Sequence, residues 1–170
     1  MSNIIWEKIQ NYCSYQDRST QEVRQKLRDL ETAPELVVEY MNKLIEYKFL
    51  DEKRFARSFV RGKFQFKKWG KIKIRQEIRA KGVDNKLVQE MLDTEIEPAE
   101  YEAVLYKIIA FKNRSLREPN PQKRRQKLAQ HALGKGFESH LVWKNISLVL
   151  EADNDEDMLD LEEDFDPDSE

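Results

Sequence analysis

The sequence predicts an all-α fold of three tandem three-helix repeats, stacked into an elongated, curved array and followed by a disordered acidic C-terminal tail. A short pattern recurs along the chain, as VRQKL at 23–27, IRQEI at 74–78 and RRQKL at 124–128. Charged residues make up 36% of the 170 residues, and only five Gly and five Pro interrupt them, which is typical of helical chains. No segment has the sustained period-two alternation that predicts a strand.

The repeat extends beyond that short pattern. Ile78 follows Leu27 by 51 residues, Leu87 follows Leu36 by the same interval, and Leu141 continues the series after a three-residue insertion. Because units of this size cannot bury their apolar faces alone, we expect them to stack on one another. The predicted repeats span residues 1–48, 49–96 and 97–150, and the tail spans residues 151–170.

Capping boxes mark the helix starts of the first repeat. Ser19 and Glu22 form one before the second helix, and Thr32 and Glu35 form another before the third. Apolar residues at helical spacing then give each of the three helices an inner face. The predicted inner residues are Ile5, Ile9, Tyr12, Cys13, Val23, Leu27, Leu30, Leu36, Tyr40, Leu44 and Tyr47.

The other two repeats follow the same order of helices. Asp51 is the predicted cap of the first helix of the second repeat, the short helix of that repeat ends at Gly82, and its last helix lies at 85–95. The predicted third repeat has a helix from 97–101 with Tyr101, Leu105 and Ile108 inward, a loop at 113–121, a short helix ending at 134–136 and a helix at 139–150.

The most distinctive stretch is residues 55–82, which holds ten Lys and Arg residues and one acid, Glu77. At 100° per residue, the helix over 51–66 separates aromatic from basic residues. The predicted core residues are Phe55, Phe59 and Phe66, and the opposite ridge is Arg54, Arg57 and Arg61. Together with a second basic stripe on the next helix, at Lys71, Arg75 and Arg79, this exposed ridge costs the monomer about 1–2 kcal/mol. The ridge gives folding no benefit in return for this cost, so a binding surface is the better explanation for it.

The net charge of −2 hides a division of the chain. Residues 151–170 hold twelve of the 32 acids and no Lys or Arg, so residues 1–150 hold 20 acids against 30 bases, a net charge of +10. A body this basic predicts a polyanionic partner, either a nucleic acid or an acidic protein surface. The alternative is that the charges only keep a helical array in solution.

The candidate contact residues are the cations of the second repeat, the tryptophan among them and a smaller basic group in the third repeat. They are Arg54, Arg57, Arg61, Lys63, Lys67, Lys68, Trp69, Lys71, Lys73, Arg75, Arg79, Lys123, Arg124, Arg125 and Lys127. Trp69 has two interpretations: it stacks on a base or fills a pocket of a partner, or it anchors its turn into the core.

Nothing in the sequence predicts catalysis. His131 and His140, the only histidines, lie on different predicted helices, and Cys13, the only cysteine, falls on an apolar helix face. The sequence has no metal-ligand spacing and no phosphate-binding loop, so we expect no cofactor and no metal. A single cysteine is typical of proteins in the reducing cytoplasm. No run reaches the roughly 20 apolar residues of a membrane span. The sequence has no long heptad run that would predict a coiled coil. We expect a cytoplasmic monomer.

Two stretches of the second repeat resemble a known family. FLDEKRFARSFVRGK (49–63) followed by WGKIKIRQEIRAKGV (69–83) is similar to the central repeat of the RecX family of bacterial recombination regulators. RSTQEVRQKL (18–27) and RRQKLAQHALGKGFESHLV (124–142) resemble the first and third repeats of that family. The matching residues of the central repeat are Leu50, Asp51, Glu52, Phe55, Ala56, Gly70, Lys81, Gly82 and Val83.

The resemblance implies three tandem three-helix repeats that bind the RecA recombinase and lie along the groove of its filament on single-stranded DNA. Filament growth, ATP hydrolysis by RecA and strand exchange are then inhibited, and some members of the family bind DNA directly. The family implies no catalytic residues. The alternative from a different class is a free-standing DNA-binding protein that uses the same short basic helices.

The tail at 151–170 falls outside the resemblance. Its acids alternate with Met158, Leu159, Leu161 and Phe165. We predict that such a segment is disordered. It either solubilises the protein or folds over the basic face and weakens binding.

Overall fold

The computed structural model describes the backbone of residues 2–163 and the side chains of residues 3–156. Over that range the chain is helical and contains no strand, so the all-α prediction is confirmed. The described backbone forms nine helices: α1 (Ser2–Tyr15), α2 (Thr20–Asp29), α3 (Pro34–Glu46), α4 (Glu52–Gln65), α5 (Lys71–Ala80), α6 (Asn85–Glu95), α7 (Pro98–Ser115), α8 (Pro121–Gly134) and α9 (Ser139–Glu163).

The sequence repeat is also a repeat of backbone conformation. After the second helix of each repeat, α2, α5 and α8, the chain turns through a residue with positive φ, at Glu31 (53°), Gly82 (80°) and Gly136 (93°). Gly82 follows Glu31 by 51 residues and Gly136 follows Gly82 by 54, which are the intervals between Leu36, Leu87 and Leu141. The insertion therefore lies before the turn that follows α8, and the three-helix organisation is confirmed. With 14 residues, α8 is longer than the short helix predicted there.

Two of the three predicted helix starts are correct. The Ser19 hydroxyl accepts a hydrogen bond from the N–H of Glu22 at 3.1 Å, and the Glu22 carboxylate accepts one from the N–H of Ser19 at 2.8 Å. Asp51 caps α4, because its carboxylate accepts from the N–H of Arg54 at 3.0 Å. These side chains satisfy backbone donors that a helix start leaves without partners.

The predicted capping box of Thr32 with Glu35 is wrong. Pro34 occupies the first helical position of α3, which its ring conformation favours and where no N–H is needed. The N-cap is therefore Ala33, one residue later than predicted, and it has no side-chain hydrogen bond. The Thr32 hydroxyl is left buried, with no hydrogen-bond partner among the described residues.

The chain forms two compact units. The first contains the chain up to Trp69 together with Lys73–Ile96, and the second contains Gly70–Ile72 together with the chain from Glu97 onward. In the first unit, α2 packs against α1 and α3, and α4 packs against α6. The buried cluster shared by α1, α2 and α3 consists of Ile9, Cys13, Val23, Leu27, Tyr40, Met41, Leu44 and Leu50.

Three predicted inner residues are placed differently. Phe66, the C-cap of α4, is 82% exposed although its backbone is still helical and its N–H donates to the carbonyl of Gly62. Phe64 is buried instead, because the buried face of α4 runs through Ala56, Val60 and Phe64, and Phe66 lies about 120° around the helix from its centre. Tyr47 is 59% exposed because it lies just beyond α3, which ends at Glu46. In α7 the buried residue is Ile109, while Ile108 is only half-buried.

In the second unit, α7, α8 and α9 pack on one another. α7 is buried through Leu105 and Ile109, and α9 through Val142 and Ile146. α9 continues to Glu163, so residues 151–163, which the sequence analysis placed in a disordered tail, are helical. One reason is that the Asp153 carboxylate accepts a hydrogen bond from the buried Asn113 amide of α7. The rest of the predicted tail lies outside the described residues.

Candidate functional site

Two arginines of the α4 ridge are already paired within the fold. Arg57 Nε and Arg61 Nε each donate to one oxygen of the Glu95 carboxylate, at 3.0 Å for Arg57. The Glu95 side chain, at the end of α6, is only 9% exposed. The expectation of a ridge without an internal partner is therefore wrong. Helix geometry within α4 could not show this, because the partner lies more than thirty residues further along the chain.

Arg54, the third ridge residue, is held even more firmly. Its Nε donates to the Asp17 carboxylate at 2.6 Å, and its terminal nitrogens donate to the carbonyls of Lys48 and Phe49. The other carboxylate oxygen of Asp17 accepts from the Ser58 hydroxyl at 2.8 Å. Arg54 thus links α4 to the α1–α2 loop and to the end of the first repeat, which is a structural role.

The turn from α4 to α5 carries an exposed group of aromatic and basic side chains. Two ammonium groups contact the Trp69 indole, with Lys63 Nζ at 4.8 Å and Lys73 Nζ at 4.5 Å from a ring centre. Contacts of this kind are worth about 0.5–1 kcal/mol each at exposed sites. Trp69 is half-buried, and Lys67 and Lys68 beside it are exposed. Trp69 therefore organises the cations of this turn rather than filling the core alone.

The outer side of α5 continues this basic surface. Ile74 and Ile78 are fully buried on the inner side, whereas Arg75 is half-buried and Arg79 is exposed. We define the α5 basic group as Lys63, Lys67, Lys68, Lys73, Arg75 and Arg79. Across the described residues, no member of this group forms an ion pair.

Lys71 belongs to the second unit rather than to this group. Its ammonium lies 5.0 Å from the ring centre of Tyr101, and its backbone N–H donates to the Tyr101 hydroxyl at 2.9 Å. That hydroxyl donates in turn to the Glu138 carboxylate at 2.5 Å. The start of α5 is thus fixed by α7 and by the turn before α9, a structural function that the sequence did not indicate.

The basic group of the third repeat divides in the same way. Arg124 donates to the carbonyls of Asn113, Leu116 and Glu118 and so closes the loop between α7 and α8. Lys127 pairs with the Glu118 carboxylate at 2.7 Å, and this hydrogen bond is the main reason why the pKa of Glu118 is lowered. Arg125 and Lys123 are exposed and form no ion pair within the described part of the chain.

The described residues contain no cluster of acids, histidines and cysteines suited to a metal ion. Burial raises the pKa of the Cys13 thiol to about 11, so the thiol remains protonated and unreactive at neutral pH. Burial, with a smaller contribution from Lys112 and Lys135, lowers the pKa of His131. None of the helices in the described range is long and apolar enough to cross a membrane.

Comparison with known proteins places each three-helix repeat in the same family. Residues 6–44, 51–92 and 100–145 match family models described as the first, second and third three-helix domains of RecX. The Regulatory protein RecX of Prosthecochloris aestuarii is 29% identical over 140 residues, which cover 82% of this chain and 89% of that protein.

Other relatives agree in fold and differ in length. The Regulatory protein RecX of Bacillus subtilis is 30% identical over 86% of this chain and 55% of its own length. The chain likewise spans 48% of the RecX protein of Oceanobacillus iheyensis, and so about half the length of several curated relatives that it matches. The crystal structure of RecX from Lactobacillus salivarius is similar with a TM-score of 0.77 and 25% identity, over 87% of this chain and 96% of that one.

Proposed function

Because the chain belongs to the RecX family, we propose that it regulates homologous recombination and DNA repair by binding the RecA filament on single-stranded DNA. Binding inhibits filament growth, ATP hydrolysis by RecA and strand exchange. In this proposal the protein acts as a cytoplasmic monomer, uses no cofactor and catalyses no reaction.

The α5 basic group is the observation that carries the proposal. Its six cations are close in the chain, and none forms an ion pair within the described part of the molecule. Like charges on neighbouring helical turns repel, at about 0.2–0.5 kcal/mol for each pair. A filament that contains nucleic acid is a polyanion and would relieve this repulsion on binding.

The paired arginines of α4 also keep a net positive charge, which gives the proposal additional support. Arg57 and Arg61 share the single negative charge of Glu95, so the three side chains together keep a net charge of +1. Both arginines are bound through Nε. Their terminal nitrogens have no partner among the described residues and can still donate to an anion.

The test is the ATPase activity of RecA on single-stranded DNA, measured with increasing amounts of this protein. We expect inhibition at or below a one-to-one ratio, and we expect Lys67→Glu with Lys68→Glu to remove it. The matched control is Lys8→Glu with Arg24→Glu, which reverses the same charge on exposed side chains of α1 and α2. The control should inhibit like the wild type.

Two outcomes would defeat the proposal. If an excess of the wild-type protein leaves the ATPase rate unchanged, the protein is not a RecA regulator of this kind. If both double variants lose inhibition equally, net charge is responsible and the α5 basic group is not the contact surface. Tight binding to naked duplex DNA without any effect on RecA would favour the free-standing DNA-binding alternative.

A further inference from the structure

A groove of about 350 Å³ lies between α5 and the start of α6, within the first unit. It is lined by Arg75, Arg79, Asn85, Lys86, Val88 and Gln89. Three of these six residues are cations, two are amides and none is an acid. A concave surface with charge of one sign concentrates the electrostatic field and attracts ions of the opposite sign.

This composition differs from that of two other grooves of the same unit. A groove of about 410 Å³ beside Trp6 contains both Glu39 and Lys43, which pair with each other at 2.6 Å. In a third groove, Lys48 lies with Asp51 and Glu52. The positive charge of the α5–α6 groove is therefore a local property rather than a consequence of the basic composition.

The cations of the groove are not neutralised within the described part of the fold. Arg79 and Lys86 are exposed and have no ion-pair or hydrogen-bond partner for their side chains there. Arg75 donates from one terminal nitrogen to the Gln89 side-chain oxygen at 3.1 Å, a contact that holds its guanidinium at the groove. Asp84, which precedes the groove, uses its carboxylate to cap α6 through the N–H of Lys86 at 2.9 Å.

We propose that the α5–α6 groove binds a phosphate group of a nucleic-acid backbone through Arg75, Arg79 and Lys86. Guanidinium groups offer a planar fork of donors that matches two phosphate oxygens, and an ammonium adds a mobile point charge. This inference rests on the proposed function and specifies it further: the groove takes the DNA within the filament, while the α4–α5 turn remains free for protein.

The test uses the full chain and a fluorescein-labelled single-stranded dT20 oligonucleotide, with affinity measured by fluorescence anisotropy at several salt concentrations. We expect Arg79→Ala and Lys86→Ala each to weaken binding roughly tenfold at low salt, as loss of one charged hydrogen-bonding partner does. Each should also reduce the slope of log K against log salt by about 0.7, the value for one phosphate contact on a single strand. Arg79→Lys should fall between Arg79→Ala and the wild type.

Arg24→Ala is the matched control, because it removes the same charge from an exposed residue of α2 in the same unit. It should change the affinity less than about twofold, within the effect of net charge alone. If Arg24→Ala weakens binding as much as Arg79→Ala does, or if neither groove variant changes the affinity, the groove is not a phosphate site. Thermal unfolding of each variant verifies that the fold is retained.

Further measurements distinguish a nucleic-acid backbone from the other anions that the groove could bind. Unlabelled dT20 should displace the probe, whereas ATP at the same phosphate concentration should not; equal displacement would assign the groove to free nucleotides and overturn the backbone proposal. If the groove variants bind RecA more weakly in the absence of DNA but keep their affinity for dT20, the groove takes protein carboxylates instead. If the groove variants lose dT20 binding but still inhibit RecA, the groove is a phosphate site that inhibition does not require.

Discussion

The backbone of Gly70 lies so close to that of Gly136 that a β-carbon built on Gly70 would sit 2.3 Å from the carbonyl carbon of Gly136. The N–H of Gly70 donates to the carbonyl of Lys135 at 2.7 Å, and the N–H of Ile72 donates to the carbonyl of Gly136 at 3.0 Å. Because the close atoms are backbone, they cannot move aside as a flexible side chain would. The turn before α5 thus depends on the absence of a side chain at residue 70.

We therefore predict that Gly70→Ala lowers the free energy of unfolding by about 1–3 kcal/mol, the usual range for forced overpacking. Urea denaturation followed by circular dichroism measures this change. Gly62→Ala is the control, since Gly62 lies inside α4 and a β-carbon there meets no atom within 4 Å. That variant should be more stable than the wild type by about 0.5–1 kcal/mol. Equal effects of the two substitutions would contradict the close approach.

Two phenylalanines at the end of α4 should respond differently to substitution. Phe64 is 2% exposed and Phe66 is 82% exposed. We predict that Phe64→Ala lowers the free energy of unfolding by about 3–5 kcal/mol, whereas Phe66→Ala changes it by no more than about 0.5 kcal/mol. Chemical denaturation of both variants is the measurement. A large loss in Phe66→Ala would mean that this ring is covered in solution.

Features set by neighbours in the chain could be predicted from the sequence. Ser19 with Glu22 and Asp51 cap their helices as expected, and the glycines at 82 and at 134–136 marked the ends of α5 and α8. Caps and helix ends depend only on residues within about one helical turn of each other. Phe66 was misplaced because the spacing of aromatic residues within α4 does not show which side of the helix other elements cover, and the covered side runs through Ala56, Val60 and Phe64.

The candidate site was predicted less well, because its charges are decided by residues distant in the chain. Arg54 and Arg57 look like surface cations along α4, yet their carboxylate partners are Asp17 and Glu95, which lie in other elements. Lys86 was not a candidate, since a single lysine after a helix cap has no distinguishing pattern. Only the position of α5 beside the start of α6 brings it to the groove.

The shared carboxylate of Glu95 should stabilise the fold by a measurable amount. We predict that Glu95→Gln lowers the free energy of unfolding by about 1 kcal/mol, since the carboxylate is nearly buried while both arginines are partly exposed to solvent. A double-mutant cycle of Arg57→Gln with Glu95→Gln should give a coupling energy of about 0.5–1 kcal/mol. Strict additivity of the two losses would contradict the pairing.

The buried hydroxyl of Thr32 is an opportunity to stabilise the protein. Its side-chain oxygen has no hydrogen-bond partner among the described residues, and burial of such a group costs about 1–3 kcal/mol in mutational studies. Thr32→Val keeps the shape and removes the polar atom, so we predict a gain of about 0.5–1 kcal/mol in the free energy of unfolding. Thr32→Ser, which keeps the hydroxyl and loses a methyl group, should not be stabilising.

The contact of Glu22 with Lys81 should make stability depend on pH in the acidic range. Burial alone would raise the pKa of Glu22, but hydrogen bonds from Lys81 Nζ at 2.7 Å and from the N–H of Ser19 outweigh it, so the pKa lies below its ordinary value. The folded state therefore binds this proton less readily than the unfolded state does. The stabilisation is complete above the unfolded pKa of about 4.3 and is lost as the pH falls through the lowered folded value.

Glu22→Gln isolates this effect, because glutamine can still complete the capping box while it cannot form the ion pair. We predict that the variant is less stable than the wild type at pH 6 and that the difference shrinks as the pH falls below the unfolded pKa of about 4.3 and through the lowered folded value. Thermal unfolding of both proteins between pH 3 and pH 6 gives the comparison. Glu77→Gln is the control for the loss of one carboxylate, since Glu77 is exposed and forms no ion pair with the described residues. At pH 6 it should be about as stable as the wild type. A difference for Glu22→Gln that is equally large at both ends of the range would show that the ion pair with Lys81 is not its cause.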